Sequence, residues 1–168
     1  MFSSIFGIPT HPLIVHVVVV FVPLAALAGL GIALWPAARA RYGLWALAIA
    51  TVAVVSIPVA TQTGELLRSE LGPNPLIRAH AHMGDQLLPF AALLWLALAA
   101  LVGIDLLARF RGIRPGWFKV LGVAASAVAV LAAIGSGVQV VRIGHSGAQA
   151  AWHGVATSSN GSAAGKGR

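Results

Sequence analysis

The chain has 168 residues, of which 58% are hydrophobic and 9% charged, with a mean hydropathy of +0.89 and a formal net charge of +7. That balance excludes an ordinary soluble domain, in which about a quarter of residues are charged, and places the chain in the membrane class. It has no cysteine, which excludes disulfides, thiolate metal sites, covalent c-type haem attachment and iron–sulfur ligation by this chain.

A spanning helix needs about 20 mostly apolar residues. Four stretches qualify: residues 13–35, 44–60, 87–108 and 120–141. The predicted fold class is an all-α membrane protein, a four-transmembrane-helix bundle occupying residues 9–155, with a small, polar, disordered tail over 156–168. Span 1 follows Thr10, which suits an N-cap, and Pro12, which suits a first helical turn. It mimics a signal peptide only in the "ARA" at 38–40. No basic residue precedes it, and its apolar run is too long for such a segment. Span 2 is the shortest and carries Pro58 near its end, where a kink or early stop is expected.

After span 2 come "TQTGE" (61–65), "LGPNP" and then "LIRAHAHMGD" (76–85), which reads as a short interfacial helix leading into span 3. Span 4 carries small residues, Gly122, Ser126, Ala129, Ala133, Gly137 and Gly144, on one face. Such a face lets helices approach closely, and it also leaves room for a flat macrocycle.

The loops set the orientation. Arg39 and Arg41 follow span 1, and Arg109, Arg111, Arg114 and Lys119 follow span 3. By the positive-inside rule both loops are cytoplasmic and both termini lie outside. The inferred location is the bacterial inner membrane. Topology alone accounts for these cations, so no nucleic-acid partner is implied. Trp35, Trp45 and Trp117 fall at the cytoplasmic ends, as belt residues do. Trp95 is the exception, one third of the way into span 3.

All six histidines fall on the opposite side. His11 and His16 open span 1, His80 and His82 precede span 3, and His145 and His153 follow span 4. His16 lies only about 5 Å below the start of its span at 1.5 Å per residue. An ionisable residue in an apolar run usually has a function. His16, His82 and His145 are therefore expected to converge in an outward-facing pocket. His11 and His16 point roughly 140° apart on an ideal helix, and His80 and His82 cannot both face inward. Glu65, Asp85 and Arg142 are the nearest charges and would orient imidazoles by hydrogen bonding. The plain alternative is that interfacial histidines bond headgroups, water or helix ends.

"HPLIVHVVVVFVPLA" (11–25), "TQTGE" and "GHSGAQAAWHGV" (144–155) resemble a bacterial four-helix membrane domain family of unknown function, with an HPxxVH opening and a GHxGxxxxxHG close. The matching positions are His11, Pro12, His16, Pro23, Gly64, His145, Gly147, His153 and Gly154. The chain departs from the family at Val17-Val18, where Phe-Pro is frequent, and at Ala151-Trp152, where Val-Tyr is common. Similar domains occur beside Rieske or cytochrome c modules, so the resemblance implies a redox setting and partners of that kind.

Three functions follow as expectations. The first is a redox protein holding b-type haem between helices, with His16 and either His82 or His145 as axial ligands and His11, His80 or His153 serving a second group. The second is a site for copper or another metal that imidazole suits, for which "HAHM" (80–83) adds a thioether. The third is a cofactor-free subunit of a homo- or hetero-oligomeric membrane complex. No GxSxG, HExxH, Walker or dinucleotide motif points to an enzyme.

Overall fold

The computed structural model describes residues 4–5, 8–112 and 115–164, with side chains over 10–112 and 115–152. Two short strands, β1 (Ser4–Ile5) and β2 (Ile8–Pro9), pair antiparallel ahead of the helices. Five helices follow: α1 (Thr10–Leu34), α2 (Pro36–Leu71), α3 (Pro75–Asp85), α4 (Leu87–Arg111) and α5 (Gly116–Ala164). Among the described residues, α1, α2, the α3–α4 pair and α5 are long and apolar enough to cross a membrane. The helix of α5 continues past residue 156, where composition reads a tail.

The junctions follow from local chemistry. Trp35 is extended because a proline follows it, and Pro36 then opens α2 from its first turn. Glycines with positive φ end α2 (Gly72, 81°) and α4 (Gly112, 63°), a conformation that disfavours side chains. The Asn74 side chain caps α3 by accepting from the Leu76 and Ile77 amides at 2.9 and 3.5 Å, with Pro75 at the first helical position. The short interfacial helix read from "LIRAHAHMGD" is α3. The stop expected at Pro58 does not occur. Pro58 lies inside α2, and the helix runs on for three more turns through the polar "TQTGE" segment.

The bundle is a ring. α1 packs on α2 and α5, and α4 packs on the same two helices, while α3 lies chiefly against α5. Its core is built from alanine: Ala25, Ala46, Ala50, Ala53, Ala91 and Ala129 are all buried, with Leu94, Leu98 and Leu101 of α4 filling the centre. Large apolar side chains such as Leu27, Leu96, Leu131 and Val141 face outward. A soluble bundle reverses this arrangement. In lipid, tails solvate the outer leucines and small residues bring the helix backbones together.

At the arginine end Arg39 Nε donates to Asp105 Oδ2 at 3.0 Å and Arg109 donates to the Ala40 carbonyl at 2.8 Å. Both contacts join the first turns of α2 to α4. Trp95, out of place as a belt residue, donates from its indole N–H to Thr51 Oγ1 at 2.8 Å and so ties α4 to α2 within the apolar zone.

Candidate functional site

The six histidines lie at one end of the bundle, but the structure pairs them differently from the sequence expectation. His11 and His80 turn inward and are half-buried, while His16, His82 and His145 are exposed. Each exposed ring is held by a residue four positions away along the chain. His16 Nδ1 donates to the Pro12 carbonyl at 2.5 Å. His82 Nε2 accepts from Gln86 at 3.4 Å, and His145 Nε2 accepts from Gln149 at 3.1 Å.

The three rings expected to converge, His16, His82 and His145, are thus each bonded elsewhere, and among the described residues no three of His, Cys, Asp and Glu form a metal-holding group. The reason is helix phase. His16 stands five residues from His11 and His82 two from His80, so turning one of each pair inward turns the other out. For the same reason "HAHM" does not present both imidazoles together. The His153 side chain lies outside the described residues.

The two inward rings are built alike. His11 Nδ1 lies 3.1 Å from the Ala60 carbonyl and 3.4 Å from Thr63 Oγ1. His80 Nδ1 lies 3.0 Å from Ser146 Oγ, whose hydroxyl donates to the Ile143 carbonyl at 2.9 Å. A carbonyl only accepts. Both hydroxyls already direct their own hydrogens to helix carbonyls, Thr63 to Val59 and Ala60 and Ser146 to Ile143. Nδ1 must therefore carry the proton in each neutral ring, which leaves the lone pair on Nε2.

Beneath each ring lies a glycine. A methyl group on Gly64 would fall 3.0 Å from His11 Cε1, and one on Gly147 would fall 3.1 Å from His80 Cε1.

Glu65, Asp85 and Arg142 are exposed, and no hydrogen bond joins them to an imidazole among the described residues. Glu65 instead pairs with Arg68 at 2.5 Å. The residues that do hold the rings, Thr63 and Ser146, escaped the sequence reading. Their signal was present as two hydroxyl–glycine dipeptides, Thr63-Gly64 and Ser146-Gly147, where spans 2 and 4 run out.

Fold and site together define a four-span membrane bundle with two similarly built imidazole seats at one end. Residues 7–159 match the family of predicted membrane proteins DUF2231, and the chain belongs to it. No curated protein and no solved structure matches the chain.

Proposed function

We propose that this protein is a membrane redox protein, or the redox subunit of a membrane complex, that holds a b-type haem between His11 and His80. The observation that carries the reading is the pair itself: two imidazoles from different helices, each with Nδ1 tied down and Nε2 left with its lone pair. The donor set fits the group. Zinc held by protein alone asks for three or four ligands, and among the described residues no third His, Cys, Asp or Glu joins the two rings. A tetrapyrrole brings four nitrogens to its iron and asks the protein for two. When bound with both axial positions filled, haem supplies reversible one-electron transfer. The chain's own part is to fix ring tautomer and ring position, as groups behind a ligating histidine commonly do. The positive-inside rule puts this end outside, with both termini, where a Rieske or cytochrome c protein is a fitting partner.

The test is an absorption spectrum of protein purified in mild detergent from haem-replete cells, oxidised and then reduced with dithionite. A Soret band and a reduced α-band are expected. They should vanish in His11→Ala and in His80→Ala and persist in His16→Ala. A folded, colourless preparation overturns the reading, and metal analysis of that preparation decides for or against copper.

One observation favours an added role in assembly. The apolar window of α5 is 22% buried, against 39% in the other three spans. Its open face suits packing against another membrane protein, which native mass measurement after gentle solubilisation tests.

A further inference from the structure

The likeness of the two imidazole seats extends through the whole bundle. A shift of 69 residues carries His11 onto His80, and the same shift carries the buried Val22, Gly29 and Ile32 of α1 onto the buried Ala91, Leu98 and Leu101 of α4. A shift of 83 carries Ala60, Thr63 and Gly64 of α2 onto Ile143, Ser146 and Gly147 of α5. It also carries the buried Ala46, Ala50 and Ser56 onto the buried Ala129, Ala133 and Gln139. Exchanging α1 with α4 and α2 with α5 turns each packed pair of the ring into another packed pair. The break at Gln86 between α3 and α4 has no counterpart in the unbroken α1.

We infer that the chain is two copies of one helical-hairpin unit joined in tandem, each copy contributing one half of a single binding site that lies between them. A half-site consists of an imidazole, a hydroxyl that accepts from its Nδ1–H and itself donates to a helix carbonyl three residues earlier, and a glycine one residue after the hydroxyl that seats the ring. Its ligand is a Lewis acid that takes one Nε2 lone pair from each copy. Thr63 and Ser146 are positioning residues, interchangeable in role, and neither half binds alone. This assignment rests on His11 and His80 being the binding pair.

The test is nitrogen-15 NMR of histidine-labelled, cofactor-free protein in micelles. Both His11 and His80 are expected as the Nδ1-protonated tautomer. Gly64→Ala should shift the His11 resonances and Gly147→Ala those of His80, by similar amounts. Exchanging the hydroxyls, with Thr63→Ser and Ser146→Thr together, should leave both tautomers as they were. Unlike tautomers in the parent protein, or a His80 ring indifferent to Gly147→Ala, overturn the inference. Because no haem is present, the outcome is separate from the spectrum above. A colourless protein with matched rings keeps the two half-sites and removes haem as their ligand. A coloured protein with unlike rings does the reverse.

Discussion

Gly64 and Gly147 show how little space separates a seat from a clash. An added methyl must push an imidazole that is already hydrogen-bonded, so Gly64→Ala and Gly147→Ala should each destabilise the protein by about 1–3 kcal/mol, the usual range for overpacking. Gly137 is the control on the same helix as Gly147, because nothing lies within 4 Å of its would-be methyl. There Ala replaces Gly in a helix interior, and Gly137→Ala should gain about 0.5–1 kcal/mol. Thermal unfolding in detergent reads all three. At this scale the sequence showed which end of the bundle carries the histidines. It did not show which rings turn inward, because helix phase is fixed by the partners opposite, and one such partner, Ala60, acts through a backbone carbonyl that no side-chain motif reveals. Ser136 is a further example. It is fully buried with no hydrogen-bond partner among the described residues, yet in sequence it is one more small residue in an apolar run.

Helices were the most legible layer. An apolar run of about 20 residues in lipid has few alternatives to a helix, because backbone groups must bond internally. Their ends were less so: α2 passes Pro58, and Thr61 and Thr63 beyond it hydrogen-bond back to carbonyls of the same helix. Packing between helices is set by near-contacts that composition does not show. A methyl on Gly135 of α5 would fall 2.6 Å from the Phe90 ring of α4. Gly135→Ala should therefore lower the melting temperature, and adding Phe90→Leu should recover most of the loss. A rescue that fails would mean the two helices do not meet there.

Across the molecule, the Arg39–Asp105 pair joins the first hairpin to the second, and both side chains are largely covered, with 14% and 22% of their surfaces exposed. Asp105→Asn leaves the guanidinium without its counter-charge and should destabilise by about 2 kcal/mol. Arg39→Gln in the same chain should return part of that, which a double-mutant cycle measures. The tandem plan could not be seen in the residues, because matched positions hold unlike side chains, such as Gly29 with Leu98 and Ser56 with Gln139. What persists between the copies is which positions face inward. The length of α2 carries one more consequence. Its 36 residues extend about 54 Å, while the hydrocarbon layer is about 30 Å thick. Its last turns therefore rise above the acyl chains like a jetty, and the His11 seat, at Ala60 to Gly64, stands where that jetty leaves the shore. A partner dissolved in water can reach this level by surface diffusion alone, without entering the lipid.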